Sequence, residues 1–203
     1  MKLYNEANPA PNPRRVRIFL AEKGISIPFV HVPMRQGAHK SPEFMLKNSL
    51  GQVPVLELDD GSTLSESVAI CRYLEELHPA PALFGEDPWQ RAQVEMWSRR
   101  IEFGLMNRVA AVWVNTHKYT AHLGTQYADF GEASRVRALK AMAWLDDELK
   151  DREFLANAGF SMADIVALTT LDFGVFIGIG MPAELTHLNA WHTRVSARPS
   201  AAA

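Results

Sequence analysis

The chain has 203 residues, 47% of them hydrophobic, with a formal net charge of −2 and a pI of about 6.4; that suffices for one domain or two small ones with a sizeable core, and it excludes a global basic field that would favour nucleic acid. The single cysteine, Cys71, excludes an internal disulfide and makes the reducing cytoplasm the expected compartment. No apolar run approaches the roughly 18 residues of a membrane span, and the start, MKLYNEANPAP, lacks the apolar core of a signal peptide.

Residues 2–4 read as a short strand. The following NEANPAPNP holds three prolines and reads as loop. Asn12-Pro13 reads as a helix start, with Asn12 as N-cap and proline at the first helical position. Val16, Phe19 and Leu20 form the buried stripe of that helix, and Gly24 ends it. A second strand is expected over residues 27–32, a polar loop over 33–41, and a short helix or turn over 42–48. Residues 53–58 and 62–64 form a hairpin around Asp60-Gly61. Residues 66–78 read as a helix with Val68, Ile70, Leu74 and Leu77 inward. The order is βαβ, then ββα.

PAPALFGEDP, residues 79–88, is rich in proline and reads as a linker. Beyond it the pattern is helical. Residues 89–117 make one long helix or two. Residues 132–150 make another, with Val136, Leu139, Ala143 and Leu149 on one face. Residues 161–176 make a third, and shorter helices fill 182–197. The expected organisation is two domains, 1–80 and 89–203.

Two features of GQVPVLELDDGSTLSES, residues 51–67, allow more than one reading. Pro54 cannot donate a ladder bond, so it belongs at a strand start or edge. A cis Val53–Pro54 bond, intrinsically about 0.5–1 kcal/mol above trans, would turn the Val53 N–H and C=O outward to pair with an extended peptide. The helix after it presents free N–H groups at Glu66 and Ser67, which suits a carboxylate, and the Glu66 side chain suits an ammonium. An edge proline followed by an ordinary capped helix fits the same spacing.

RRVRIFLAEKGI (residues 14–25), GQVPVLELDDG, the Ser65–Ser67 SES triplet and FSMADI (residues 160–165) together resemble the cytosolic glutathione transferases, and the similarity runs from Lys2 to about Pro199. The resemblance is nearest to atypical bacterial and fungal members that lack the usual catalytic tyrosine, serine or cysteine, with the zeta class second. It implies an α/β thioredoxin-like N-terminal domain (βαβ-ββα) that binds glutathione, and an all-α C-terminal helical domain that lines an electrophile pocket. It implies that Glu66 and Ser67 hold the γ-glutamyl end and that Val53, before a cis Pro54, pairs with the cysteinyl part. His39, Lys40 and Gln52 are placed to meet the glycine carboxylate, although a solvated loop explains His39 and Lys40 equally well. It also implies a homodimer, detoxification of small electrophiles, and glutathione as cosubstrate without a further cofactor. Within FSMADI, Ser161 and Asp164 have the spacing of a capping box, with Phe160 and Ile165 at staple positions, so they are assigned to folding.

Glutathione transfer needs the thiolate. A thiol of pKa near 8.5 is only a few per cent ionised at pH 7, and lowering it by two units takes about 2.7 kcal/mol. Residues 5–17 contain no Ser, Thr, Tyr or Cys, and the zeta-type serine position falls on Ala10. Tyr4 lies in the first strand, where packing is expected. The first helix could contribute up to about 2 kcal/mol through its N-terminus, and one hydrogen bond to the anion about 1.5–3 kcal/mol. Asn12 is one candidate donor. Asn115 and His117, near the end of a helix expected to face the cleft, are candidates to hold a water instead. Trp113, Met34 and Phe173 are candidate walls of the acceptor pocket, or core.

Cys71 is expected to pack. Arg14, Arg15 and Arg17 either attract the anionic tripeptide or face solvent. The seven histidines show no HxH or HExxH pattern, so no metal is expected. The expected function is conjugation of glutathione to small hydrophobic electrophiles. A zeta-like glutathione-dependent isomerase is the alternative within enzymes. A non-catalytic glutathione-binding or interaction module is the alternative outside them.

Overall fold

A computed structural model of the chain describes residues 1–7, 9–156 and 159–203. It divides into two compact units, Met1–Leu83 with Pro199–Ala203, and Phe84–Arg198.

In the first unit β1 (Lys2–Asn5) leads through α1 (Pro11–Lys23) to β2 (Phe29–His31), which pairs parallel to β1. Two short 3₁₀ turns and α2 (Pro42–Met45) lead to β3 (Val55–Glu57), β4 (Thr63–Ser65) and α3 (Ser67–Leu77). β3 pairs antiparallel to β1 and β4 antiparallel to β3, so the sheet runs β2-β1-β3-β4. This is the βαβ-ββα order expected. Period-two alternation divides the sheet between two layers. Tyr4 and Val55, paired across β1 and β3, lie with Val32, Met34, Ala38, Phe44 and Val53. Leu3 and Leu56, paired beside them, point to the other face and are fully buried, as are Val16, Ile18 and Phe19 of α1 and Ile70, Cys71 and Leu74 of α3. Leu77, expected inward, is 48% exposed in the last turn of α3.

Gly24 closes α1 in the left-handed conformation (φ 64°), with its N–H bonded to Ala21 O. The closing residues of the chain, featureless as sequence, join this unit: Arg14 Nη2 donates to Ala201 O at 2.8 Å, and Ser200 donates to Glu22.

In the second unit α4 (Pro88–Ile101) is capped by Asp87, whose side chain accepts from Gln90 N–H. It continues through a π turn, Glu102–Met106, into α5 (Asn107–Thr116). The long-helix-or-two alternative is thus one rod with a widened turn. The buried residues explain the widening: Ile101, Leu105 and Val109 recur every four positions. In an α-helix each such step overshoots a turn by about 40°, and the wider π turn keeps all three on one face.

α6 (Ala128–Glu148) starts earlier than expected and buries a different stripe: Gly131, Ser134, Ala138, Met142 and Leu145. Val136, assigned to the inner face from the sequence, is 55% exposed, and Ala143 is also exposed. The small residues are inside because α5 and α6 approach closely. A Cβ on Gly131 would lie 2.4 Å from Thr116 Cγ2.

α7 (Met162–Phe176) is buried on all sides over residues 162–171, the pattern of a central core helix. At its start Asp164 accepts from Ser161 N–H, Ser161 Oγ, Leu155 N–H and Trp191 Nε1. Trp191 belongs to α8 (Thr186–Ser196). Ser161 and Asp164 therefore do the folding work expected of them, and Asp164 also ties α8 to α7. Phe160 packs its ring on Phe154 and beneath the Arg198 guanidinium. Among the described residues, no helix is long and apolar enough to cross a membrane.

Candidate active site

The β3–β4 register places the sequence-predicted glutathione residues together. Val55 pairs with Ser65. That pair is the last of the ladder, so Val53–Pro54 directly precedes β3 where Glu66 and Ser67 directly follow β4. The Val53–Pro54 peptide is cis, and Val53 is packed into the α2-side cluster. Glu66 has φ 69° and ψ 113°, the only positive φ outside glycine among the described residues. Such a conformation costs on the order of 1–3 kcal/mol and is tolerated where the surroundings impose it, often at a ligand site. It turns the chain from β4 directly into α3 while leaving the Glu66 side chain exposed. The first helical bond of α3 runs from Ile70 N–H to Glu66 O. The N–H groups of Ser67, Val68 and Ala69 therefore open the helix without helical acceptors.

The start of α1 differs from the sequence reading. The helix begins at Pro11, with Ala10 as its N-cap residue and no side-chain cap; Asn12 is not the cap but the second helical residue. Arg14 N–H already bonds Ala10 O, and Pro11 and Pro13 have no N–H to offer. Among the described residues, the donors left at this helix end are the backbone N–H and side-chain amide of Asn12. The helix thus starts at Pro11 rather than Pro13, and the donors at its end belong to one residue instead of a row of N–H groups.

The three arginines of α1 do not face solvent. Arg15 and Arg17 are buried. Arg17 Nη1 donates to Asn5 Oδ1 at 2.7 Å and to Glu6 O at 2.8 Å, and burial followed by the nearby Arg14 charge lowers its pKa. Arg15 Nη1 lies 3.4 Å from Ser67 Oγ. Sequence reasoning had Arg15 attract the tripeptide or face solvent and missed its burial, although its position four residues before Phe19 puts both on one face of α1. The Tyr4 hydroxyl donates to Glu57 Oε2 at 2.9 Å, and its ring packs edge-on against Phe44.

His39 and Lys40 lie in a 3₁₀ turn over Ala38–Lys40. Lys40 Nζ donates to Leu50 O. Gly51, at φ 58°, passes so close to this turn that a Cβ would meet His39 O at 2.7 Å and Lys40 Cδ at 2.9 Å. Asn48 closes the segment by donating to Gln52 O and accepting from Leu50 N–H. His39, Lys40 and Gln52 are thus held in one loop by Gly51 and Asn48, which the sequence reading passed over. Met34, a candidate pocket wall, packs instead against the α2-side cluster.

In the second unit Asn115 is 9% exposed. Its amide donates to Ala111 O and accepts from Tyr127 N–H, tying the end of α5 to the start of α6. Those bonds give it a structural role. His117 Nδ1 accepts from Tyr119 N–H, so the neutral ring carries its proton on Nε2. The ring lies tilted against Trp113 at 4.3 Å and near Tyr119 and Phe176. Trp113 also meets Phe173 edge-on at 5.3 Å. These rings form an aromatic cluster in which Phe176 and Tyr119 are exposed.

Burial pushes the Cys71 thiol well above its ordinary range, which keeps it neutral and unreactive. Among the described residues, no three His, Cys, Asp or Glu side chains converge as a metal site requires.

Residues 10–77 match the glutathione S-transferase N-terminal domain, and residues 116–199 match the glutathione S-transferase C-terminal domain. The chain is 39% identical to glutathione S-transferase 2 of Saccharomyces cerevisiae over 197 residues, 94% of this chain and 83% of that one. This chain belongs to the glutathione S-transferase family. The crystal structure of a family-domain protein from Marinobacter aquaeolei VT8 is 42% identical, with a TM-score of 0.94 over 98% of this chain and 99% of that one. A maleylacetoacetate isomerase of Pseudomonas aeruginosa is 43% identical over 96 residues, 46% of this chain and 44% of that one. The family's two-domain plan accounts for the thioredoxin-like order of the first unit and the all-helical second unit.

Proposed function

We propose that this chain is a glutathione transferase that conjugates the glutathione thiolate to small hydrophobic electrophiles. The observation that carries the reading is the end of α3: open N–H groups, an exposed Glu66 at positive φ, and Val53–Pro54 alongside. Ser67 and the helix end take the α-carboxylate of the γ-glutamyl group. Glu66 takes its ammonium. The Val53 backbone pairs with the cysteinyl part, and His39, Lys40 and Gln52 meet the glycine carboxylate. Glutathione enters as cosubstrate, and no further cofactor is part of the proposal.

The thiolate is assigned to Asn12, whose two donors stand at the end of α1. One charge-assisted bond of about 1.5–3 kcal/mol, added to the helix field of up to about 2 kcal/mol, covers the roughly 2.7 kcal/mol that a two-unit shift requires. His117, whose neutral ring carries its proton on Nε2, is kept as the candidate to hold a water. The exposed rings around Trp113 supply apolar surface for the electrophile. A homodimer belongs to the same proposal, supported by the exposed Phe103 beside Met96 and Trp144 in an open groove of about 650 Å³. Detoxification in a reducing cytoplasm belongs to the same proposal.

Retention on glutathione-agarose with turnover of chloronitrobenzene supports the transferase. Retention without turnover selects the binding module, and no retention overturns both. Thiolate absorbance of bound glutathione, titrated in the parent and in Asn12→Ala and His117→Ala, apportions the activation. The isomerase reading has the partial similarity to the Pseudomonas enzyme in its favour, while Ala10 stands where a zeta-type serine is expected. Turnover of maleylacetoacetate without net loss of glutathione would select it.

A further inference from the structure

We propose that Arg15 is a positioning residue of the anion-binding end of α3: it fixes the Ser67 hydroxyl as a donor toward the carboxylate of the bound γ-glutamyl group. The proposal rests on the glutathione reading above and extends it to a side chain with no surface of its own. Arg15 is 2% exposed and Ser67 is 5% exposed. A guanidinium can only donate, so at the 3.4 Å Nη1–Oγ contact the serine oxygen must accept. The Ser67 proton is then turned elsewhere. Because Ser67 opens α3, its N–H also lacks a helical acceptor. One residue thus offers an N–H and an O–H, with a full positive charge behind them.

The electrostatics of the α1–α3 layer favour the same conclusion. Arg15 lies near Cys71 as well, since its charge pulls the Cys71 thiol downward against burial. Ser67 and Cys71 are four residues apart on one face of α3, and the guanidinium addresses both. Glu75, one turn further on that face, is bonded to Lys23 and to Leu83 N–H. The Arg15 guanidinium thus lies at the N-terminal end of α3, where the open N–H groups already favour a bound carboxylate.

The test is a cycle read by calorimetry with glutathione: parent, Arg15→Met, Ser67→Ala and the double variant. Arg15→Met is expected to weaken binding about tenfold, and the double variant to be no weaker than the poorer single one, because Arg15 acts through Ser67. The same four proteins are titrated with γ-aminobutyryl-cysteinylglycine, which lacks the α-carboxylate; there Arg15→Met is expected to have no effect. In turnover, KM for glutathione should rise while KM for the electrophile stays. Arg15→Lys, which keeps the charge without the planar fork, is expected to recover part of the loss and serves if the methionine variant does not fold. Additive losses, or an equal loss with both peptides, would overturn the proposal while leaving the glutathione reading intact. Failure of the parent to bind glutathione would overturn that reading, and the proposal with it.

Discussion

Removing the Asp164 carboxylate should unfold much of the helical unit's margin of stability. The group is fully buried and takes four donors: Leu155 N–H at 3.1 Å and Trp191 Nε1 at 2.9 Å on Oδ1, with Ser161 N–H and Oγ at 3.0 Å on Oδ2. Burial raises its pKa, and the same four bonds oppose the rise. In Asp164→Ala the serine hydroxyl can rotate to another acceptor, but three N–H groups are left buried and unsatisfied. At about 1–3 kcal/mol each, the loss is at least about 3 kcal/mol, and the lost cap adds about 0.5–2 kcal/mol. Against a typical total of about 5–15 kcal/mol, that is a large fraction. Asp164→Asn keeps one oxygen and turns an NH₂ toward two former donors, so it should lose less than alanine. Trp191→Phe removes one bond and should lose least. Urea unfolding followed by circular dichroism gives the ranking from midpoint shifts at constant slope. An alanine variant within about 1 kcal/mol of the parent would refute the account of this carboxylate as the organiser of the α7 start.

Glu66→Ala and Ser67→Ala each remove a charge-assisted bond of about 1.5–3 kcal/mol and should weaken glutathione binding about tenfold to a hundredfold by calorimetry, with circular dichroism unchanged; full affinity in a folded variant would move the site elsewhere. Lys23 has a fully buried side chain that donates to His78 O at 2.7 Å and pairs with Glu75, so Lys23→Met should cost about 3–5 kcal/mol; adding Glu75→Gln, which keeps the acceptor for Leu83 N–H, should restore part of the urea midpoint. The Glu57 carboxyl is held at about 2, first by its bond to Lys47, then by Lys2 and Tyr4. A folded pKa below the unfolded one adds stability that is complete above about 4.5 and lost as pH falls through about 2, so the parent should exceed Glu57→Gln at pH 7 and the gap should close on acidification across that range; a pH-independent gap would contradict the assignment.

Periodicity and punctuation determined much of this protein from the sequence. The strand–helix order, Gly24 as a helix stop, the hairpin at Asp60-Gly61 and the Ser161–Asp164 cap all depend on residues close together in the chain, where the alternatives are few. The spacing of Val53, Pro54, Glu66 and Ser67 fitted an edge proline and an ordinary capped helix as well, and it was the family resemblance that singled these residues out. What the sequence misjudged turns on neighbours that local patterns do not name. Val136 looked like a core residue, yet the close crossing of α5 and α6 at Gly131 put the small residues inside and turned the larger ones out. Asn12 looked like a cap, yet the helix began two residues earlier, and the flanking prolines left it the donors at that end.

The charges carried the largest surprise. Three arginines beside a helix start were expected either to attract the anionic tripeptide or to face solvent, because burying a guanidinium is costly unless it is paired and hydrogen-bonded. Only the tertiary structure supplies the partners that meet that cost: Asn5 and Glu6 for Arg17, Ala201 from the far end of the chain for Arg14, and Ser67 for Arg15. Local sequence decides that a helix forms and roughly where it lies. Whether a charge on that helix can go inside is decided by groups more than ten, and in one case nearly two hundred, residues away.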